Sequence, residues 1–461
     1  MTIHNNMSRT ALWFRSLLLP DGWADGVRLV IVDGRIETLM KDTPAEAGDE
    51  RHEIGLPGLP NLHSHAFQRG MAGLTERRGA TQDSFWTWRE AMYRFVDHMG
   101  PDDVEAIAAQ AFLEMLECGF TRVGEFHYVH HDPAGAPYAD IAELATRIAA
   151  AAGETGIALT LLPVFYRHAG FGGLAAAPGQ RRFVNDIDRY ARLIEASRTS
   201  VSSLPDALVG IAPHSLRATT PEEIAEILPL ANGGPVHIHV AEQVKEVEDC
   251  LAWCGKRPVE LLLDRLPVDA RWCLVHATHV TESESTGIAA RGAVVGLCPI
   301  TEANLGDGLF PVQSFLERGG RFGVGSDSNV LIDAAEELRL LEYGQRLSLR
   351  TRNALARATT PSVGRSLFDT ALAGGAQALG APSGIALGHP ADLVSLKADD
   401  NELAHRHGDQ WLDAWIFAGS RRTVDCVWRA GIKLVTGGRH IHREAIGRRY
   451  RQALHKVLQS S

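Results

Sequence analysis

Pro60-Asn61-Leu62-His63-Ser64-His65-Ala66-Phe67-Gln68 follows the apolar run Ile54-Gly55-Leu56-Pro57-Gly58-Leu59. The run reads as a buried strand, and the stretch after it as that strand's exit. Residues i and i+2 of an extended strand share a side, so His63 and His65 project together. Neutral imidazole is the commonest protein ligand for zinc, iron, copper or nickel. A lone His-x-His pair is more often an ordinary polar surface feature. Its meaning depends on what the rest of the chain brings to it.

Seven further apolar runs follow: Thr121–Phe126, Ile157–Phe165, Leu208–Pro213, Val236–Val240, Trp272–His276, Ala293–Cys298 and Arg321–Gly325. Amphipathic stretches such as Val104–Leu116 lie between them, with helical spacing of their apolar residues. Eight strands alternating with helices predict an α/β fold, a (β/α)8 TIM-like barrel over residues 57–385. Residues 1–56 carry a different texture. Val27–Val32 leads into Asp33-Gly34, a type I′ hairpin signal, and Arg35–Leu39 returns. That texture reappears over residues 386–440, with a turn at Arg429-Ala430-Gly431. The two ends are expected to form one small β-sandwich domain around the inserted barrel. The run from Glu444 to Gln459, inside a C-terminal helix at 441–461, reads as a surface or interface helix.

In such a barrel chemistry collects at the C-terminal strand ends. There the chain places Pro235-Val236-His237-Ile238-His239-Val240-Ala241-Glu242, then Leu274-Val275-His276-Ala277-Thr278-His279, then Gly323-Val324-Gly325-Ser326-Asp327-Ser328. Three histidines and one aspartate would make a nitrogen and oxygen site for one divalent metal, most suited to Zn2+ and compatible with Fe2+. Each residue has a plainer reading. His276 could be a satisfied core histidine and Glu242 a carboxylate at a helix start. His237 reads as a packed barrel residue, and His127, His130, His131 and His279 as loop or surface residues. The plain readings fail jointly, because one such group falls at every relevant strand end.

The 56 acidic against 46 basic residues argue against nucleic acid as a partner. An anionic small-molecule substrate would therefore need locally placed arginines. Six cysteines without a Cys-x-x-Cys pair fit reduced thiols in the cytoplasm. The run Ala11-Leu12-Trp13-Phe14 is too short to span a membrane.

The order His63-x-His65, His239, Glu242, His276, Asp327 resembles the amidohydrolase superfamily in its aminohydrolase branch. The stretches Pro60–Arg69, Asp83-Ser84-Phe85-Trp86-Thr87-Trp88-Arg89-Glu90 and Cys298–Gly308 resemble the formimidoylglutamate deiminases of histidine degradation. That resemblance spans essentially the whole chain. It implies His63, His65, His239 and Asp327 as metal ligands, with His276 and Asp327 orienting a water and Glu242 shuttling its proton. It also implies Gln68, Arg89, Tyr128, His214 and Arg217 as substrate contacts, the two arginines clamping carboxylates. A homodimer is a further family expectation. No carboxylated lysine is evident, which favours a single metal over a bridged pair. The implied reaction is hydrolytic deimination of N-formimidoyl-L-glutamate to N-formyl-L-glutamate and ammonia. The rival readings are deimination of formimidoyl-aspartate, deamination of a guanine, cytosine or triazine ring, and a catalytically silent barrel kept as a scaffold.

Overall fold

The structure, a computed structural model, describes residues 9–77 and 85–459. Asp83 and Ser84 of the aromatic segment lie outside those residues. Four strands come first: β1 (Thr10–Leu19), β2 (Gly22–Val32), β3 (Arg35–Met40) and β4 (Glu50–Pro57). Val32 pairs with Arg35 across Asp33-Gly34, whose φ angles of 49° and 77° suit a type I′ turn. Only Gly58 separates β4 from β5 (Leu59–Ser64). A side chain on Gly58 would run into that of Thr121, 2.2 Å from where a Cβ would sit.

The predicted alternation follows, as β6 (Phe120–His127), β7 (Ala158–Phe165), β8 (Leu208–Val209), β9 (Ala212–Pro213), β10 (Val236–Val240), β11 (Trp272–His276), β12 (Val294–Leu297) and β13 (Arg321–Val324). All eight predicted strand positions are occupied, the fourth by two short pieces. β5, β6, β7 and β10 are buried at every residue, as strands covered by helices on the outer face must be. The strands pair in parallel as two sheets, β5-β6-β7-β8 with β9 on β7, and β10-β11-β12-β13. Single bridges join their edges. His65 N–H donates to Asp327 O at 2.9 Å and Asp327 N–H to His63 O at 3.0 Å. On the other side Ile211 N–H donates to Pro235 O at 3.0 Å.

The last strands are β14 (Leu393–Leu396), β15 (Val424–Arg429), β16 (Ile432–Thr436) and β17 (Arg439–His440). The two chain ends do meet, but in one eight-stranded sheet of order β17-β16-β15-β14-β4-β1-β2-β3, where a sandwich of two sheets was expected. The reason is the antiparallel pairing of β4 with β14, which joins Leu393 to Pro57 and Leu396 to Ile54. Leu12, Phe14, Leu29, Ile31 and Trp428 pack into this sheet's own core.

The C-terminal helix, Arg443–Gln459, lies on the surface but docks on this same chain. It buries Ile446, Ala453 and Val457, and Lys456 Nζ reaches Asp103 Oδ2 of helix Pro101–Glu117 at 2.6 Å. Among the described residues no helix is long and apolar enough to cross a membrane.

Candidate active site

The backbone at the strand exits is strained. Ala241, His276 and Asp327 sit at φ of 52°, 67° and 44°, in a left-handed region that side chains other than glycine rarely occupy. Buried polar groups hold Asp327 there. Asn329 Nδ2 donates to Ser64 Oγ, His65 O and Asp327 O, each at 3.1 Å. Asn61 Nδ2 donates to Ser326 Oγ at 2.7 Å, and Ser326 Oγ to Asn329 Oδ1 at 2.6 Å. Gly325 is needed between them, since a Cβ there would lie 2.7 Å from His63 O.

This frame brings His63, His65, His239 and Asp327 together, with one ligand atom from each within 4.8 Å of all the others. His63 Nε2 lies 3.2 Å from His65 Nε2 and 3.0 Å from His239 Nε2. Asp327 Oδ1 lies 3.5 and 3.3 Å from the Nε2 atoms of His63 and His65. His65 Nδ1 contacts Phe126 O at 2.9 Å, and His239 Nδ1 contacts His214 O at 3.1 Å. A carbonyl oxygen can only accept, so both Nδ1 atoms carry hydrogen and both Nε2 atoms present lone pairs. Burial pushes the three imidazoles down, His63 to about 3, and keeps them neutral. Burial opposes charge on Asp327 as well, yet the imidazoles around it, His63 and His65 beside its Oδ1 and the cationic His276 beside its Oδ2, hold the carboxylate below the usual range. Buried acceptors facing one another need a cation between them. Two ligands about 2.1 Å from one ion stand about 3.0–3.4 Å apart, which the nitrogen spacings match. The donor set fits a divalent metal.

His276 stands beside this cluster, its Nε2 3.7 Å from Asp327 Oδ2 and 3.9 Å from Glu242 Oε1. Its Nδ1 meets Glu302 Oε1 at 3.2 Å. Burial disfavours a charged ring, but the Glu302 hydrogen bond and the charges of Glu242 and Asp327 outweigh it and push His276 up to about 10. Glu302 also accepts Cys298 N–H at 2.9 Å, so it is fixed before it touches the imidazole. The sequence reading missed this role for Glu302, although the residue lies inside a quoted motif. Only the fold reveals that its side chain turns back to β11.

One cavity, open at its mouth, collects Gln68, Arg89, Tyr128, His214, Arg217, Glu242, His276 and Asp327. Gln68 Nε2 donates to Tyr128 Oη at 2.8 Å, which leaves the buried Gln68 Oε1 unpaired. Helix Phe85–Asp97 supplies one wall, with Phe85 and Trp88 facing the cavity and Trp86 beneath Arg89. The Arg89 guanidinium lies 4.5 Å from the Trp86 ring centre, and among the described residues no carboxylate pairs with it. Arg217 Nη2 instead contacts Glu242 Oε2 at 3.1 Å, and its Nε lies 3.6 Å from Glu246 Oε2. Tyr166 and Tyr93 also line the pocket and were not foreseen. Tyrosines on loops and wall helices carry no spacing signal.

His237 is the packed residue expected, fully buried with Nε2 2.7 Å from Ala378 O. His279 lies half-buried on the loop after β11. His130 and His131 lie on the loop after β6, as one of the two readings had it, whereas His127 ends β6 itself, and all three are buried, which excludes the surface reading. His130 and His131 tie ring nitrogens to Val164 O and Val184 O, each at 2.9 Å, and so fix the exit of β6 against neighbouring segments. A histidine in a polar-looking loop gives no sign in sequence that the loop folds inward.

Sequence comparison agrees with this geometry. The chain belongs to the amidohydrolase family, whose model matches residues 54–433. Residues 10–53 match the N-terminal domain of formimidoylglutamate deiminase HutF. The formimidoylglutamate deiminase of Pseudomonas aeruginosa is 52% identical over 452 residues, covering 97% of this chain and 100% of that one. A 5-methylthioadenosine/S-adenosylhomocysteine deaminase of Natronomonas pharaonis is 27% identical over 388 residues, 82% of each chain. The crystal structure of an amidohydrolase from Brucella melitensis superposes with a TM-score of 0.95 at 55% identity, covering 97% of this chain and all of that one. An adenosine deaminase from Xanthomonas campestris with bound zinc shares the fold, with a TM-score of 0.79 at 23% identity and 98% coverage of both chains.

Proposed function

We propose that this protein hydrolyses N-formimidoyl-L-glutamate to N-formyl-L-glutamate and ammonia, a deimination step in histidine breakdown. The observation that carries the reading is one pocket lined by three of the four clustered donors, His65, His239 and Asp327, and by two arginines, Arg89 and Arg217. A dicarboxylate calls for two guanidinium forks, each matching a carboxylate in two parallel hydrogen bonds. A neutral ring would call for amide and hydroxyl partners instead. The same reading takes the two parallel sheets as halves of a (β/α)8 barrel and places the enzyme in the cytoplasm, where its six free cysteines would stay reduced.

His63, His65, His239 and Asp327 would hold one divalent ion, for which we propose zinc, with iron(II) as the alternative. Such an ion supplies Lewis acidity, which brings a water's pKa towards neutrality. Around it the protein's own groups act on the proton and the substrate. Asp327 Oδ2 and His276 flank the position from which water attacks the formimidoyl carbon. Glu242 takes the water's proton and passes it to the terminal nitrogen of the adduct, and the proton of the adduct's hydroxyl follows to the same nitrogen. That carbon–nitrogen bond breaks, ammonia leaves, and the carbon keeps the new oxygen and its bond to the glutamate nitrogen. Gln68, Tyr128 and His214 line the path to the formimidoyl group, while Arg89 and Arg217 take the carboxylates.

Ammonia release measured across N-formimidoyl-L-glutamate, N-formimidoyl-L-aspartate, guanine and cytosine tests the reading. Turnover of the glutamate derivative with N-formylglutamate as coproduct is expected. Formamide and free glutamate as products, or preferential turnover of a ring, would overturn it.

A further inference from the structure

Glu242 is held between two partners. One oxygen accepts from Arg217 Nη2 at 3.1 Å, and the other points at His276 Nε2 3.9 Å away. A carboxylate engaged by a guanidinium has its side chain fixed in place. As found in the structure, the residue assigned the proton is therefore restrained by the residue assigned the substrate.

Glu246 is the second carboxylate near Arg217, and it is fully buried. Its Oε1 accepts Ala241 N–H at 3.1 Å and its Oε2 accepts Glu242 N–H at 3.2 Å. These bonds hold the turn in which Ala241 takes its left-handed conformation. Glu246 cannot leave without exposing two buried donors, whereas Glu242 borders the open cavity and can. Among the described residues Arg217 Nε makes no hydrogen bond and faces Glu246. Arg217 lines the pocket, so a carboxylate arriving there meets the guanidinium whose Nη2 Glu242 holds.

Resting on the deiminase reading above, we propose that Arg217 is a substrate-operated switch. It restrains Glu242 until a carboxylate of the substrate takes the guanidinium and frees Glu242 for proton transfer. Glu246 is a positioning residue, the fixed anchor that keeps Arg217 at the pocket wall in both states. The substrate carboxylate thus contributes to turnover as well as to binding, and amidines lacking it are rejected at the chemical step.

The test uses the metal-loaded enzyme with N-propylformamidine, which keeps the reacting group and carries no carboxylate. Wild-type enzyme should release ammonia from it slowly, and sodium propionate at constant ionic strength should raise kcat saturably by about tenfold. Arg217→Met should raise the propionate-free rate by about fivefold or more and abolish the stimulation. Should Arg217→Met fail to fold, the propionate titration of the wild type decides alone. Inhibition or no effect by propionate, or stimulation that survives in Arg217→Met, overturns the switch. Glu246→Gln should raise KM for N-formimidoyl-L-glutamate by about tenfold while lowering kcat by no more than about threefold, because Glu242 then competes for Arg217 unopposed. A loss confined to kcat would contradict the anchor role. Absence of ammonia from N-formimidoyl-L-glutamate itself would sink the deiminase reading, whereas normal turnover of it without a propionate effect sinks only the switch.

Discussion

Two groups of histidines lie inside this protein at similar depth and do different work. His65 and His239 turn their Nε2 atoms on His63 Nε2 at 3.2 and 3.0 Å, beside the carboxylate of Asp327. His130, His131 and His237 turn ring nitrogens to the carbonyls of Val164, Val184 and Ala378, and among the described residues form no ion pair with a carboxylate. His127 completes that second group as a neutral ring with an unpaired Nε2. Burial neutralises members of both groups. Convergence of lone pairs separates them, and only convergence creates a demand for a cation. Strand geometry decides the matter within two residues of β10, where His237 and His239 share a face but reach different depths of the molecule.

The largest effect should come from exchanging these neighbours. His239→Ala is expected to lose the metal and to lower kcat by roughly 10³-fold or more. His237→Asn should retain one equivalent of metal, as elemental analysis would show. Metal retained in the first variant and lost in the second would invert the comparison. Glu242→Gln should lower kcat by about 10²–10⁴-fold with metal content unchanged, since it removes a proton carrier and no ligand. Wild-type turnover in that variant would assign the proton to another group. Arg89→Met and Arg217→Met should each weaken N-formimidoyl-L-glutamate binding by about 2–4 kcal/mol, read as KM. A near-normal KM in both would remove the carboxylate clamps.

The smallest effect separates the second group on its own terms. Burial holds His127 near about 3 and His237 near about 4, against an ordinary value of 6.5. Above pH 6.5 both states are neutral and nothing is lost. Below it the unfolded chain binds protons that the native rings refuse, so stability falls as pH drops from 6.5 towards 4. Each ring contributes a slope of about 1.4 kcal/mol per pH unit over that window. Urea unfolding of His127→Asn and His237→Asn from pH 7 to pH 4.5 should show flatter profiles than the wild type. Parallel profiles would contradict the assigned burial.

Much of this was legible because it depends on short-range pattern. Apolar runs of five to nine residues gave the eight strand positions, and residues at their ends gave His63, His65, His239, His276 and Asp327. The Asp33-Gly34 hairpin followed from turn chemistry alone. Pairing between distant strands was not legible, so β4 joining β14 replaced the expected sandwich with one sheet. Glu302 and Glu246 escaped for a similar reason. Each acts through a side chain that turns back towards an earlier strand or loop, and neither spacing nor composition records that direction. The inward fold of the β6 exit hid His127, His130 and His131 in the same way.

Anomalous diffraction at the zinc absorption edge on crystals of the zinc-loaded protein tests the central claim most directly. One peak within about 2.0–2.3 Å of His63 Nε2, His65 Nε2, His239 Nε2 and an Asp327 carboxylate oxygen is expected. No peak there, or a peak bound by His127, His130 or His131, would contradict it.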